Sequence, residues 1–236
     1  MMIIRFSLVL TALIWSTLTL AATTQPPFVA GKDYIVLANP VTTPGQGKVE
    51  VEEFFWYGCP HCYDLDKPLS QWVSQHQAQV QFEKMPVTFF GPASKLDAQA
   101  FYLLKSLKAT KAISATKAES IHQALFKAKH REDAKLNNEK ELKAFFQQQG
   151  ISKQQFDDNF NSFSVKAWIN ESGKQTRRFA IMSVPTLIIA GKYKVNGETA
   201  GSMKRMLAVA SYLVNKEKVS QAKASRDNNK ESQPQA

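Results

Sequence analysis

Only two cysteines occur in the 236 residues, Cys59 and Cys62, in a C-x-x-C spacing. A staple disulfide closing so short a loop removes little unfolded-chain entropy and stabilises little. A structural zinc site wants four ligands; the pair and His61 supply three, and the adjacent His61 points elsewhere. No metal is therefore expected, and a redox pair is the reading that fits. Acidic residues are also scarce, 20 against 30 Lys and Arg, for a net charge of +10. The excess sits mainly over residues 93–180. An acidic partner or anionic lipid surface is one reading of such an excess, and a solvated helical surface is the plainer one. The basic residues are scattered and not stacked with aromatics, so no nucleic-acid partner is expected. No internal repeat is present. With 44% hydrophobic and 21% charged residues, the composition excludes wholesale disorder and a multi-span membrane protein.

No apolar run reaches the roughly 20 residues a spanning helix needs. The longest, Phe6 to Leu20, follows Arg5 and leads into Ala21-Ala22. A charged start, a short apolar stretch and small residues at the exit predict a secretory signal peptide over 1–22, cleaved after Ala21 or Ala22, with an uncleaved anchor as the alternative. No cysteine lies near it, which excludes lipid attachment through a cysteine there.

Residues 23–32, with Gln25-Pro26-Pro27, read as a flexible lead-in, and Tyr34 to Ala38 as an edge strand. After the Pro- and Gly-bearing loop 40–47, Val49-Glu50-Val51-Glu52 alternates and Phe54-Phe55-Trp56 continues as a solid apolar run, a strand entering a buried position. It stops at Gly58. Leu65, Leu69, Trp72, Val73 and His76 then follow helical spacing, with Pro60 suited to the first turn and Pro68 expected to kink the helix. Val80 to Val87 reads as a strand. Residues from Ser94 to about Arg178 read as helical throughout. Asn138 with Glu141 and Ser152 with Gln155 suggest capping boxes, Gly150 a helix stop, and Phe156, Phe160 and Phe163 core packing in one helix. A strand at Val184 to Ile189, a hairpin partner at Tyr193 to Val195, a loop at 197–201 and a helix over Met203 to Val214 complete the body. The polar residues 216–236 are expected to be disordered.

The fold class is thus α/β. Residues 23–92 and 179–215 form one discontinuous domain, interrupted by a helical insertion over 93–178.

The junction Gly58 to Cys62 joins a strand end to a helix start. Cys59 then lies beside unpaired backbone N–H groups and the positive end of the helix dipole. Both favour a thiolate, and His61 adds to them when protonated. Cys62, one turn further in, should be more buried and less acidic. Cys59 would meet substrate and Cys62 would resolve. Were the Cys59 pKa near 4, the reduced form would gain roughly 4 kcal/mol at pH 7, making the couple about 90 mV more oxidising. Such a protein gives its disulfide away.

The segment Glu53-Phe54-Phe55-Trp56-Tyr57-Gly58-Cys59-Pro60-His61-Cys62 resembles the active-site segment of the DsbA family of periplasmic oxidases. Val184-Pro185 is similar to that family's Val–cis-Pro loop. The resemblance covers about residues 30–215 and implies a thioredoxin-like fold with a helical insertion. It implies a monomeric oxidoreductase of the Gram-negative periplasm. This enzyme would put disulfides into reduced exported polypeptides, with no cofactor beyond the Cys59–Cys62 disulfide, and a DsbB-like quinone-linked membrane oxidase would restore that disulfide. By similarity Pro60 and His61 tune the pair, Val184 and Pro185 bind substrate, Glu53 is the acid near Cys62 and Lys84 its basic neighbour. An exposed strand-end carboxylate and a solvated lysine are the plainer readings of the last two. The rival functions are a disulfide isomerase or reductase, and a peptide-binding chaperone whose cysteines matter little. Pro-His between the cysteines, rather than Gly-Pro, and the lack of room for a dimerisation domain before Asp33 disfavour the first.

Overall fold

The computed structural model describes residues 27–41, 47–132 and 134–231. The expected signal segment lies outside them. Among the described residues five strands form one sheet: β1 (Ile35–Val36), β2 (Val49–Phe55), β3 (Val80–Pro86), β4 (Thr186–Ile189) and β5 (Tyr193–Asn196), in the order β1-β5-β4-β2-β3. β2 runs parallel to β3, with helix α1 (Pro60–Gln75) as the crossover that a parallel pair requires, and antiparallel to β4. The alternation in β2 explains its central place. Val49 and Val51 point into a core with Leu65, Leu69 and Trp72 of α1. Phe54 points to the opposite face, against Phe179, Ile181 and Ile188.

Between β3 and β4 the chain forms five helices: α2 (Pro92–Ala109), α3 (Ala115–Arg131), α4 (Glu139–Gln148), α5 (Lys153–Phe160) and α6 (Phe163–Arg178). Their core, with Leu103, Leu107, Ile121, Leu125, Phe146 and Phe156, is continuous with Phe55, Tyr57 and Cys62 at the end of β2 and the start of α1. The insertion is therefore packed onto the C-x-x-C junction itself. After β5 come α7 (Gly197–Ala200) and α8 (Met203–Glu231). α8 packs Met206, Val209, Ala210, Leu213 and Val214 into the core shared with α1.

Several local expectations change. The Ser152–Gln155 box is complete, but at Asn138 the reciprocal half is displaced. Asn138 Oδ1 accepts from Glu141 N, while Glu141 Oε2 accepts from Asn137 N, one residue early. Phe163 does not join Phe156 and Phe160 in the core. It starts a separate helix capped by Ser162 and is 87% exposed. The loop expected at 197–201 holds the single turn α7, capped by Asn196 and Thr199. Pro68 lies inside α1, which runs on past it to Gln75. Of the polar residues 216–236 expected to be disordered, those up to Glu231 continue α8 as helix, and 232–236 lie outside the described residues. The Lys, Gln, Ala and Glu residues of this extension are good helix formers, and buried Glu217 fixes it to β5 and the preceding turn through Tyr193 Oη at 2.9 Å and Lys192 Nζ at 2.5 Å.

Candidate active site

β2 ends at Phe55, and a turn closed by Cys59 N donating to Trp56 O at 3.0 Å delivers Cys59 as the residue capping α1. No side chain caps this helix start, so its first N–H groups stay turned toward the Cys59 sulfur. Pro60, at the first helical position, has no N–H to satisfy. Gly58 is needed for space: a Cβ there would lie 2.3 Å from the Trp56 ring.

Both thiols are free, Cys59 half-buried and Cys62 fully buried. The Cys62 thiol beside Cys59 is the main influence lowering the Cys59 pKa to about 6, with help from the Cys62 and His61 backbone N–H groups and, least, the His61 charge. Burial opposes them. The thiolate is therefore the majority form at pH 7, but the lowering is smaller than the value near 4 considered from the sequence. Partial desolvation of the sulfur offsets part of what the helix start provides, and the oxidising bias shrinks with it. Cys62 moves the other way, raised well above an ordinary thiol by burial first and then by Cys59 and the Glu53 charge. The pair is split into one acidic, reachable sulfur and one buried, protonated one.

Across the sheet, the Cys59 Sγ lies 3.5 Å from the carbonyl oxygen of Val184. The Val184–Pro185 peptide is cis, and β4 begins at the next residue.

Beneath Cys62 lies a buried charge cluster. Parallel pairing sets Glu53 beside Lys84, and Lys84 Nζ donates to Glu53 at 2.8 Å and to Asp66 at 2.7 Å. His122 Nε2 is 2.9 Å from the same Asp66 oxygen, and its Nδ1 is 2.5 Å from Tyr57 Oη. Glu53 is 1% exposed, which removes the strand-end reading, and Lys84 is buried beside it. Burial alone would discharge Lys84, but the Glu53 and Asp66 carboxylates outweigh it and hold its pKa above the ordinary value. Burial pushes Asp66 up, yet the His122 hydrogen bond and the Lys84 charge bring it well below the usual carboxylate range. A cavity of about 610 Å³ opens on this cluster, lined by Lys84 and His122 rather than by either cysteine.

The structure thus brings Cys59, Pro60, His61, Cys62, Val184 and Pro185 together around the redox pair, and sets Glu53 and Lys84 behind it. Sequence reasoning missed Asp66, His122, Tyr57, Trp56, Asp97 and His130. Asp66 was findable, because four residues beyond Cys62 lies on the same helix face. His122 sits within the Ile121–Leu125 apolar face, and nothing local marks it. Among the described residues, no group of three or more His, Cys, Asp or Glu is arranged to hold a metal ion.

Residues 50–208 match the model of the DSBA-like thioredoxin domain. The thiol:disulfide interchange protein DsbA of Pseudomonas aeruginosa is 33% identical over 218 residues, covering 92% of this chain and 99% of that one. That of Burkholderia cepacia is 37% identical over 190 residues, covering 78% and 84%. The crystal structure of Pseudomonas aeruginosa DsbA superposes with a TM-score of 0.74 at 33% identity, covering 83% of this chain and 97% of that one. The Xylella fastidiosa oxidoreductase DsbA gives a TM-score of 0.71 at 27% identity, covering 83% and 100%.

Proposed function

Because the chain belongs to the DsbA family and is a thiol:disulfide oxidoreductase that introduces disulfide bonds, we propose that Cys59 is its substrate-facing sulfur and Cys62 its resolving one. The observation that carries this is the split between them: Cys59 half-buried with a pKa of about 6, Cys62 buried with its thiol pushed up.

The cycle starts from the Cys59–Cys62 disulfide. A substrate thiolate attacks Cys59 Sγ, forming a mixed disulfide and breaking the Cys59–Cys62 bond. The Cys62 sulfur leaves with the electron pair and takes up a proton. A second substrate thiolate attacks the substrate sulfur of the mixed disulfide and expels Cys59 as a thiolate. The substrate gains a disulfide, and the protein holds the two electrons. The acidity of Cys59 makes it a good leaving group in that last step. Pro60 and His61 shape and charge the helix start. Val184 and Pro185 form the wall along which an extended substrate segment lies. Glu53 and Lys84 set the electrostatics behind Cys62.

The substrates in this reading are reduced exported polypeptides, met in the periplasm after removal of residues 1–22. Two electrons then pass to a quinone-linked membrane oxidase of the DsbB type, which restores the disulfide. No further cofactor is required. Among the described residues no helix is long and apolar enough to cross a membrane.

The test is trapping. Cys62→Ser should accumulate mixed disulfides with exported proteins, visible on non-reducing gels and lost on reduction, and Cys59→Ser should trap none. Adducts formed by Cys59→Ser instead would reverse the assignment.

A further inference from the structure

The turn that presents Cys59 is held from outside the thioredoxin-like part. Its four residues are Trp56, Tyr57, Gly58 and Cys59, and the Cys59 N–H to Trp56 O bond closes it. Three of its groups are gripped by the helical insertion. Asp97 on α2 accepts a hydrogen bond from Trp56 Nε1 at 2.8 Å. His122 on α3 meets the Tyr57 hydroxyl at 2.5 Å. His130, two turns further along α3, lies with Nε2 2.7 Å from the Tyr57 carbonyl oxygen. A carbonyl only accepts, so His130 Nε2–H donates. The His130 ring also stacks on Tyr63, with centroids 5.2 Å apart and planes at 18°.

The Tyr57–Gly58 peptide is the central peptide of the turn. Such a peptide has two orientations, and the flipped one needs a positive φ at the third residue. Glycine there tolerates both, and Gly58 does not take a positive φ in this structure. Nothing in Gly58 itself selects between them. The His130 bond does, because it engages the carbonyl in one orientation only.

Resting on the assignment of Cys59 as the substrate-facing sulfur, we propose that His130 is a positioning residue of the redox site, locking the Tyr57–Gly58 peptide and so fixing the Cys59 sulfur against the start of α1. The insertion thereby sets the geometry of chemistry carried out by the other part of the chain. His130 touches neither sulfur. It acts through the turn, and losing its N–H lets the peptide flip and loosens the presentation of the His61 and Cys62 N–H groups to Cys59.

Two substitutions separate this bond from packing. His130→Phe keeps a ring against Tyr63 and removes the donor. His130→Gln loses the ring and keeps an N–H donor. Both are compared with Lys127→Ala, which removes an exposed α3 side chain pointing to Glu132. The thiolate absorbance of each reduced protein is titrated, and oxidation of a reduced dithiol peptide is timed. His130→Phe should raise the Cys59 midpoint by about one unit and slow oxidation about tenfold. His130→Gln should stay near the wild type, as should Lys127→Ala. A wild-type midpoint and rate in His130→Phe overturns the proposal, and so does a His130→Gln variant as impaired as His130→Phe. If His130→Phe does not fold, His130→Ala takes its place under the same reading. The underlying assignment is checked separately by trapping: mixed disulfides should accumulate in Cys62→Ser and not in Cys59→Ser.

Discussion

The Sγ of Cys59 lies 3.5 Å from the carbonyl oxygen of Val184, 125 residues away in the chain. The reactive sulfur and the entry to β4 therefore form one surface, although they come from opposite sides of the insertion. Under the proposed assignment of Cys59, a substrate sulfur bonded to it would lie beside Val184 and Pro185. Pro185→Thr adds a backbone N–H and a branched side chain at that wall, and substrate should leave the mixed disulfide more slowly. Cells exporting the variant should show reducible protein adducts on non-reducing gels while the fold persists by circular dichroism. Normal oxidation rates without adducts would make Pro185 a structural residue only.

The Cys59 pKa predicts how stability depends on redox state. A thiol lowered to about 6 in the fold contributes stability that is present above the ordinary thiol value and lost as pH falls through 6. The contribution exists only in the reduced protein, because the disulfide has no proton to lose. Cys62 adds nothing over this range, since burial keeps it protonated. The reduced protein should melt above the oxidised one at pH 7, and the gap should widen from pH 5 to pH 8. Half-exposure of the sulfur keeps the effect modest. A pH-independent gap, or an oxidised form that melts higher at pH 7, contradicts the thiolate assignment.

Glu52 offers a prediction of opposite sign on the other face of the sheet. It is 7% exposed, and burial, then the Glu50 and Glu83 charges, push its carboxyl up to about 8. A raised carboxyl stabilises the fold most below the ordinary carboxylate value, and that stability is lost as pH rises through 8. Thermal stability should thus decline between about pH 5 and pH 8 on account of this residue. Glu52→Gln should flatten the decline and stabilise the protein at pH 8.5 by on the order of 1–3 kcal/mol. Calorimetry across that range checks it, and an unchanged slope would mean that Glu52 is ionised in the fold at little cost.

What the sequence disclosed and what it hid divide by the range of the interactions. The C-x-x-C helix start, the strand before it and the late Val184-Pro185 strand are local patterns, and the fold class follows from their order. Glu53 and Lys84 came only from the family resemblance. Their shared burial depends on β2–β3 register, which no local pattern reveals. The grip of His122 and His130 on Tyr57 spans 65 and 73 residues and joins a helix whose periodicity marks only its apolar face. Phe163 departs from its expected place for the same reason. A phenylalanine three residues after Phe160 continues a helical stripe on paper, but Ser162 caps a new helix and turns it outward.

The C-terminal helix gives the last prediction, because there a polar composition does not mean a lack of structure. Composition counts residues but not anchors, and one buried anchor is enough to extend a helix whose residues already favour it. Glu217 is 4% exposed and accepts from both Lys192 and Tyr193. Lys218 beside it donates to Gly47 O at 2.6 Å. A chain ending at Lys216 leaves the Tyr193 hydroxyl without its acceptor in a site that is 8% exposed, at a cost of about 1–3 kcal/mol. A chain ending at Ser220 keeps Glu217 and Lys218, and residues 222–227 of the helix it loses are exposed. The shorter protein should melt several degrees lower, and the longer one should match the full chain. Redox activity should survive in both, since neither cut reaches the C-x-x-C core. Equal melting points for the two truncations would show that Glu217 is not the anchor, and that α8 holds its end by propensity alone.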